Sequence, residues 1–303
     1  MKPVKHIKIK PSMHVKDLVE SMSDAGFGAG KIAESARIMK EMFDDKDCNV
    51  FLGVAGAMVP AGMKEIIVDM LDNAEADVFV TTGANLTHDL IEALGSQHYL
   101  SDEKEQNISD IELNKQGLDR IYNVLMKNKV YEKLEDFFEA NFDKIKDCTN
   151  IKELLWKIGE ILQDTNSILK KCYEKKIPIF CPALADSGIG LMIWGRKIAG
   201  KKIIIDAFDD MKEIIDIAWT CKKSGVIYIG GGTPKNFIQQ SLQFSKGASY
   251  GIQITADRQE PGGSSGAPLK EGISWGKMKS DAEFIDVFCD ATIALPLIYA
   301  SIK

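Results

Sequence analysis

The sequence predicts an α/β protein built on a doubly wound, mostly parallel sheet. Apolar runs rich in β-branched residues recur along the 303 residues, and stretches with helical spacing follow them. In places the runs are near-continuous, as in the three isoleucines at 203–205, which is typical of strands buried on both faces. Strands of this kind alternating with helices characterise sheets that helices cover on both sides.

Seven apolar runs are predicted to be strands. They lie at residues 49–54, 77–81, 178–182, 202–206, 226–230, 250–255 and 284–289. Four segments have the spacing of amphipathic helices, which places apolar residues on one helical face. They lie at residues 31–43, 63–73, 211–222 and 234–243.

Residues 101–176 differ from the rest of the chain in composition. They are rich in Lys, Glu, Asp and Asn, have helical spacing and contain no clear strand. We interpret them as a mostly helical insertion within a single domain that spans residues 1–303. An apolar helical stripe inside the insertion requires a partner surface. It consists of Leu154, Leu155, Ile158, Ile161 and Leu162.

Composition and charge exclude several classes of protein. A hydrophobic content of 45% and a charged content of 27% are ordinary for a soluble globular protein. The net charge of −6 gives no global electrostatic case for binding nucleic acid. No apolar segment is long enough to cross a membrane, and no signal segment follows the basic N-terminus. The six cysteines form no CxxC pair, so we expect a reducing, cytoplasmic location and no metal site.

A triple glycine is the clearest sign of nucleotide binding. Gly230, Gly231 and Gly232 follow the predicted strand at 226–230, and Pro234 stands in the first turn of the next helix. Glycines allow a ligand to approach the backbone, and a helix N-terminus favours an anion such as a pyrophosphate. The segment has neither the GxGxxG nor the Walker pattern, so a tight turn without a ligand stays open.

Three more predicted strands end in small, hydroxyl or acidic residues. These residues are Thr81, Thr82 and Gly83 after the second run, Asp186 after the third, and Asp290 and Ala291 after the last. Open α/β sheets bind ligands at the carboxyl ends of their strands. Asp186 and Asp290 have two interpretations: they contact a ribose hydroxyl or a cationic amine, or they cap the helices that follow.

Lys277 is the candidate nucleophile. It lies two residues after Trp275 and six after Glu271, and a Gly/Ser loop at 262–267 precedes it. An apolar, aromatic setting disfavours an ammonium, so the neutral amine becomes available to form an imine. From the tripeptide Trp275-Gly276-Lys277 alone, a surface lysine that follows a turn is the commoner case.

Two other segments favour structural interpretations. The segment at 26–31 resembles a phosphate loop, but no strand precedes it and Ile32 stands where Ser or Thr is required. We therefore predict a turn that enters a helix. His88 lies near a predicted strand end, where a surface or capping role competes with catalysis.

Together these motifs resemble those of the deoxyhypusine synthase family, in the family's order and spacing. The matching segments are Thr81-Thr82, Pro182-Ala183-Leu184 with Asp186, Gly230-Gly231-Gly232, Ser265-Gly266-Ala267, Ser274-Trp275-Gly276-Lys277 and Asp290-Ala291. The resemblance runs from about residue 26 to the C-terminus. It implies a Rossmann-like, NAD-binding fold of the type also found in sirtuins.

The resemblance also implies an activity. The family uses NAD to oxidise spermidine and transfers a 4-aminobutyl group, through an imine on an enzyme lysine, to a lysine of a translation initiation factor 5A-type protein. Members assemble as homotetramers. By this resemblance Lys277 is the nucleophile, and Glu271 and Trp275 line the polyamine pocket. The positions matched to the NAD side are Thr81, Thr82, Gly83, Asp186, Gly230, Gly231, Gly232, Gly262, Ser265, Asp290 and Ala291.

The chain departs from the eukaryotic pattern at several acidic or basic positions. Two glutamates are replaced by Thr87 and His88, a histidine by Asn236, and two aspartates by Leu191 and Ser264. Losing one charge-assisted contact typically costs about 1.5–3 kcal/mol, so the polyamine is expected to be held differently. Ser264, His88 and Asn236 remain candidates for the substrate side. The segment from Thr82 to His88 resembles archaeal and bacterial relatives.

Three functions remain open from the sequence. The first is the deoxyhypusine synthase reaction, which the lysine and the cofactor loops favour. The second transfers the aminobutyl group to a small amine such as putrescine or agmatine, because the acidic positions differ. The third is a nucleotide-binding assembly protein without catalysis, against which Lys277 argues.

Overall fold

The computed structural model describes residues 1–303, apart from the side chains of residues 103 and 104. Its strands are β1 (Cys48–Val54), β2 (Val78–Thr81), β3 (Tyr99–Leu100), β4 (Leu118–Ile121), β5 (Val124–Lys127), β6 (Ile179–Phe180), β7 (Lys223–Ile229), β8 (Ala248–Thr255) and β9 (Met278–Phe288). The first helices are α1 (Val15–Ser21), α2 (Phe27–Asp44), α3 (Lys64–Asp72), α4 (Gly83–Ala93), α5 (Glu103–Gln106), α6 (Asp110–Lys115), α7 (Val130–Ala140) and α8 (Phe142–Ile145). The others are α9 (Ile151–Ile161), α10 (Ile168–Lys175), α11 (Gly188–Ile198), α12 (Ala207–Thr220), α13 (Gly232–Leu242), α14 (Glu271–Ser274) and α15 (Ala291–Ile302).

These elements form two compact units. The first comprises Met1–Gly56, Asn73–Thr81 and Phe208–Lys303, and the second comprises Ala57–Asp72 and Thr82–Ala207. The prediction of a single domain over residues 1–303 stays a prediction.

The first unit contains five of the six strands of the main sheet, in the order β2-β1-β7-β8-β9. All four pairings between them are parallel. The residues of β1, β2 and β7 are nearly all buried, which explains why the sequence shows continuous apolar runs there rather than alternation, whereas β9 at the edge is mostly half-buried or exposed. The predicted mostly parallel α/β sheet is therefore confirmed.

Helices cover both faces of this sheet, and two strand glycines show it. Gly225 of β7, paired with Val50, meets Met42 of α2, whereas Gly53 of β1 meets Ile238 of α13. Side chains alternate between the faces of a strand, and positions 50 and 53 differ by an odd number. The two helices consequently lie on opposite faces, as a doubly wound sheet requires.

The strand order reverses beside β1, which pairs with β2 on one side and β7 on the other. At this point the amide of Ala55 donates to the carbonyl of Ile229, and the glycine turn follows β7. In open α/β sheets such a reversal creates a crevice at the carboxyl ends of the strands. The fold therefore places Gly230–Gly232 where this architecture binds ligands.

The second unit has its own core. The apolar stripe predicted in the insertion is confirmed, because Leu154, Leu155 and Ile158 are fully buried and α9 packs against α10. A Cβ on Gly159 would approach the carbonyl oxygen of Leu169 to 2.3 Å, so glycine is required at this crossing. The partner surface of the stripe is thus helix α10.

Two predictions about strands were wrong. Residues 101–176 contain β4 and β5, which pair in an antiparallel hairpin, and β5 also pairs with β3. The turn between them has Tyr122 at φ +55 and lacks glycine, so it gave no turn signal. The run at 202–206 is not a strand, because its one bridge is between Asn150 and Asp206 and Ile204 is 70% exposed.

Candidate active site

The glycine turn of the first unit requires glycine for two reasons. Gly230 and Gly232 have φ values of +74 and +58, which side chains disfavour. A Cβ on Gly231 would lie 2.4 Å from Cα of Ser265, so the Gly/Ser loop approaches this turn directly. The loop at 262–267 therefore lies over the turn, as an active-site loop would.

The helix that follows this turn begins without a side-chain cap. Gly231 is its N-cap residue, and the described residues provide no side-chain hydrogen bond that caps α13. By contrast, Thr82 caps α4, Ser187 caps α11 and Asp290 caps α15. Uncapped amides and the helix dipole favour an anionic group, so this turn can hold a phosphate.

Lys235 connects the helix to the loop. Its side chain is 1% exposed, and Nζ donates to the carbonyl oxygens of Ser264 at 2.8 Å and Ala267 at 2.5 Å. Burial lowers the pKa of Lys235 to about 8, and the charge of Lys277 adds to this effect, while Asp286 and Glu271 oppose it. A buried ammonium therefore holds the loop against the glycine turn.

The loop is fixed at two further points. Nε2 of Gln253, on β8, donates to the carbonyl oxygen of Ser265 at 2.9 Å. A Cβ on Gly266 would approach the carbonyl oxygen of Arg258 to 1.9 Å, so no other residue fits there. Gly262 has a φ of +74 and open space around it, so glycine is favoured there by the backbone conformation and not by a close contact. The loop is thus a built structure and not a linker.

Lys277 follows α14 in the same unit. Its Nζ lies 5.0 Å from the centroid of the Trp275 ring, which is cation–π geometry. Lys277 is half-buried, whereas Trp275 is 61% exposed and Glu271 is also exposed. The predicted aromatic neighbour is present, but the chain leaves its ring open to solvent.

Asp286 is a neighbouring carboxylate that the sequence did not point to. It lies on β9 and accepts a hydrogen bond from the amide of Leu269 at 3.0 Å. Burial raises its pKa, although this amide and the charges of Lys235 and Lys31 oppose that effect. Asp286 therefore contributes negative charge beneath the loop that carries Ser264 and Ser265.

The other predicted residues of this unit have structural contacts. Oγ1 of Thr81 donates to the carbonyl of Val54 at 2.7 Å, which ties β2 to β1. Asp290 accepts from the amide and the hydroxyl of Thr292, both at 2.7 Å, and Ala291 opens α15. Of its two interpretations, the capping role of Asp290 is present. Asn236 is half-buried on α13.

The second unit contains the remaining predicted cofactor residues. The hydroxyl of Thr82 accepts from the amide of Asn85, and a Cβ on Gly83 would lie 2.6 Å from Oγ of Ser187. Ser187, not Asp186, caps α11 by accepting from the amide of Gly190. Asp186 is exposed, and no partner for its carboxylate is present among the residues described. Its side chain is therefore available to a ligand.

The positions that depart from the eukaryotic pattern have different surroundings. Oγ1 of Thr87 is buried and accepts from the amide of Ile189, so it positions α11. Leu191 is 54% exposed. His88 is neither a cap nor a free surface residue, because its Nδ1 lies 2.9 Å from Nε2 of His98.

Within the part of the chain that the structure describes, no three His, Cys, Asp or Glu side chains are grouped to hold a metal ion. Nor does any helix of that part have the length and apolarity needed to cross a membrane. All six cysteines are free. As predicted, the segment at 26–31 enters a helix, since α2 begins at Phe27.

Comparison with known proteins gives a consistent result. The family model for deoxyhypusine synthase matches residues 17–302. A Methanosarcina acetivorans protein named "Probable deoxyhypusine synthase 1" is 43% identical over 303 residues, covering 99% of this chain and 94% of its own. A protein of the same name from Archaeoglobus fulgidus is 39% identical, covering 97% and 95%.

A solved structure agrees with the fold. The crystal structure of a "putative deoxyhypusine synthase" from Entamoeba histolytica superimposes with a TM-score of 0.67 at 19% identity. The match covers 98% of this chain and 96% of that one.

Proposed function

The chain belongs to the deoxyhypusine synthase family, and on this premise we propose that it transfers the 4-aminobutyl group of spermidine to a lysine of a translation initiation factor 5A-type protein. The cofactor of the proposed reaction is NAD, and the product is the first intermediate of hypusine biosynthesis. The observation that carries the proposal is Lys277, placed 5.0 Å from the Trp275 ring in the unit that contains the uncapped glycine turn.

The chemistry assigned to Lys277 is an imine exchange. NAD, when bound, would supply the redox chemistry, taking up a hydride from the carbon next to the secondary amine of spermidine and returning it to the product imine. The neutral Nζ of Lys277 attacks the resulting imine carbon, and 1,3-diaminopropane leaves as the C–N bond to it breaks. The amine of the acceptor lysine then displaces Lys277, whose Nζ becomes a free amine again.

The fit of the first unit to NAD is supported by its backbone. Gly230, Gly231 and Gly232 form a turn that side chains cannot occupy, and the amides that open α13 lack a side-chain cap. A pyrophosphate is stabilised in such a place. Gly262, Ser265, Thr81, Asp290 and Ala291 complete the proposed cofactor residues of this unit. The roles of Thr82, Gly83 and Asp186 stay predictions from the resemblance.

The polyamine side is supported by charge and by an aromatic face. Glu271 is exposed and six residues from Lys277, and the ring of Trp275 is open to a cation. Ser264 and Asn236 stay predicted substrate contacts. Both are uncharged. Glu271 is therefore expected to contribute a larger share of the polyamine binding energy than a single carboxylate contributes in a pocket that has several.

We further propose that the enzyme is a homotetramer and acts in the cytoplasm. The support for the homotetramer is apolar surface that this chain leaves exposed to solvent. On α11, Trp194 and Ile198 are 60% and 70% exposed, and Trp275 beside the nucleophile is 61% exposed. A neighbouring copy would exclude water from such surfaces. Sedimentation velocity of the wild type and of Trp194→Glu tests this, and a monomeric wild type would contradict it.

Trapping at Lys277 tests the proposed reaction. The protein is incubated with NAD and spermidine, reduced with borohydride and digested, and the Lys277 peptide is weighed. We expect a 4-aminobutyl adduct in the wild type and none in Lys277→Arg. Lys279→Arg is the matched control, because Lys279 lies two residues away and donates to Ser249. An unmodified wild-type peptide would refute imine chemistry and favour a non-catalytic nucleotide-binding role.

A small-amine acceptor is the second candidate. It is favoured by the uncharged side chains at Thr87, Leu191, Asn236 and Ser264, which change how amines are held. The two candidates share the trapped adduct and differ in the product. Supplying the factor 5A-type protein, putrescine and agmatine in separate reactions, and weighing the products, distinguishes them.

A further inference from the structure

Three polar side chains lie side by side across the main sheet of the first unit. Tyr228 of β7 pairs in register with Gln253 of β8, which pairs in turn with Asp286 of β9. Side chains at paired positions of neighbouring strands point to the same face of a sheet. Tyr228 also pairs with Gly53 of β1, where a Cβ would meet the Tyr228 ring and Ile238 of α13. These three side chains, which we call the polar row, therefore lie on the face that α13 covers.

The polar row brings polar atoms into an apolar core. Tyr228 and Gln253 are fully buried, as are Ile227 and Ile252 beside them on the same strands. Among the described residues, neither the hydroxyl of Tyr228 nor Oε1 of Gln253 has a hydrogen-bond partner. Burying a polar atom without a partner costs free energy, and an apolar side chain of similar shape avoids that cost. Stability alone therefore does not account for a glutamine at position 253.

The amide nitrogen of Gln253 holds the Gly/Ser loop. Nε2 of Gln253 donates to the carbonyl oxygen of Ser265 at 2.9 Å. Ser265 is also the residue that approaches the glycine turn, because a Cβ on Gly231 would lie 2.4 Å from Cα of Ser265. The bond from Gln253 thus fixes the part of the loop that lies against the turn proposed to hold the cofactor.

Asp286 holds the segment that follows this loop. Its two carboxylate oxygens lie 3.0 Å and 3.3 Å from the amide nitrogen of Leu269, which donates to them. The side chain of Leu269 is fully buried, and a Cβ on Gly251 of β8 would meet it at 3.0 Å. Leu269 is therefore attached to the sheet both by its amide and by its side chain.

Backbone hydrogen bonds connect Leu269 to the candidate nucleophile. The carbonyl of Leu269 accepts from the amide of Gly272 at 2.9 Å, and the carbonyl of Gly272 accepts from the amide of Lys277 at 2.8 Å. The carbonyl of Lys277 accepts from the amide of Ala248, at the start of β8, at 3.0 Å. A displacement of Leu269 would therefore be transmitted through α14 to the backbone that carries Lys277.

We propose that Gln253 and Asp286 are positioning residues with separate roles. Gln253 places the Gly/Ser loop for binding of the cofactor, and Asp286, acting through Leu269, places Lys277 for attack on the imine carbon. Both side chains act through backbone groups, and neither supplies a reacting atom. The inference rests on the proposed function for the reaction of Lys277, whereas the two sets of hydrogen bonds can be tested without it.

Gln253→Met tests the role in cofactor binding. Methionine has a similar volume and removes both the bond to Ser265 and the unpartnered Oε1. We expect a urea midpoint equal to or above that of the wild type, and a Kd for NAD about tenfold weaker or more by calorimetry. Gln240→Met, at an exposed position of α13, is the matched control and should behave like the wild type. Unchanged NAD affinity, or weaker affinity together with a lower urea midpoint, would overturn this role.

Hydrogen exchange at Leu269 tests the bond from Asp286. Asp286→Ala removes the acceptor, whereas Asp286→Asn keeps an oxygen at that place. Exchange in the full chain is followed by mass spectrometry at about pH 6, below the pKa of about 8 to which burial lowers Lys235. We expect the Leu269 amide to exchange about tenfold faster or more in Asp286→Ala, and within about threefold of the wild type in Asp286→Asn. Slow exchange in Asp286→Ala, or fast exchange in Asp286→Asn, would overturn the proposal.

Borohydride trapping separates the two roles. With spermidine and saturating NAD, the adduct on the Lys277 peptide should form about tenfold more slowly or worse in Asp286→Ala, with the Kd for NAD within about threefold of the wild type. Asp286→Asn should restore the rate, and Asp281→Ala, at an exposed position of β9, is the matched control. Gln253→Met should form the adduct at a nearly normal rate once NAD is saturating, and an equal loss in both variants would overturn the division of roles. If the wild type forms no adduct, the proposed function fails and the role in attack fails with it, while exchange and calorimetry still decide whether the two side chains hold the loop and Leu269.

Discussion

Replacing the buried Lys235 with methionine should separate cofactor binding from folding. Methionine keeps the apolar stem and removes the ammonium that donates to the carbonyls of Ser264 and Ala267. Each hydrogen bond from a charged group contributes about 1.5–3 kcal/mol. Against this, the fall in pKa from 10.5 to about 8 means that the site disfavours the charged form by about 3 kcal/mol. The two bonds together contribute about 3–6 kcal/mol and largely offset this cost, so we expect the free energy of unfolding at pH 7 to change by no more than about 3 kcal/mol.

The loop should nevertheless lose its position over the glycine turn. NAD would then have to order residues 262–267 on binding, and the loss of one such hydrogen bond corresponds to a Kd about 10- to 100-fold weaker. Isothermal titration calorimetry with NAD measures this. Lys246→Met, at an exposed lysine after α13, is the control that should bind like the wild type.

The pH dependence of stability gives an independent check on Lys235. Its folded pKa of about 8 lies below its unfolded value of 10.5, so between these pH values the unfolded chain binds more protons. The wild type should therefore gain about 3 kcal/mol relative to Lys235→Met as the pH rises from 8 to 10.5. Urea unfolding at both pH values measures the difference. Parallel pH curves, or a large loss of stability with unchanged NAD affinity, would refute the reasoning.

Two other substitutions test the glycine turn of the first unit and a buried carboxylate of the second unit. Gly231→Ala would place a methyl group 2.4 Å from Cα of Ser265, so we expect NAD binding by calorimetry to weaken at least tenfold, with a clash of this kind typically costing about 1–3 kcal/mol. Gly28→Ala, where nothing lies within 4 Å, should bind normally. Burial raises the pKa of Asp89 to about 6 from 3.8, so between these values the folded protein binds more protons. As the pH falls from 7 to 4, the free energy of unfolding of the wild type should rise by up to about 3 kcal/mol relative to that of Asp89→Asn. Urea unfolding at both pH values measures this, and an equal shift of the urea midpoint in the two proteins would contradict it.

The parallel sheet was predictable because burial on both faces leaves a direct trace in the sequence. Runs such as 226–230 and 250–255 are apolar at nearly every position, and both became strands. The same signal failed at 202–206, where apolar residues lie in a surface segment and Ile204 is exposed. The β4–β5 hairpin was missed because Tyr122 takes a positive φ without the glycine that usually marks such a turn. Whether the segment at 202–206 and the segments of the β4–β5 hairpin form strands depends on the presence of a pairing partner and not on local composition.

The site was predictable where the backbone itself requires a residue type. Gly231 and Gly266 stand where a Cβ would collide with another segment, so their glycines signal a close approach. The burial of Lys235 left no such trace, because a lysine in the first turn of a helix ordinarily points to solvent. His98 lies ten residues from His88, a spacing that suggests no contact until α4 and the segment after it are folded. Long-range packing therefore created the contacts that the sequence did not reveal.

The residues predicted from the sequence as site residues carry unequal functional weight. Thr82 and Asp290 cap helices, and Gly231 and Gly266 are required by packing, so each would be expected there without a ligand. Asp186, Glu271 and Trp275 are exposed, and among the described residues their side chains show no hydrogen bond that would explain them. Trp275 in particular keeps 61% of its surface in water beside Lys277. An aromatic face open to solvent beside a candidate nucleophile can take a cationic ligand, so the strongest case for a ligand lies at Trp275 and Lys277 and not at the glycine turn.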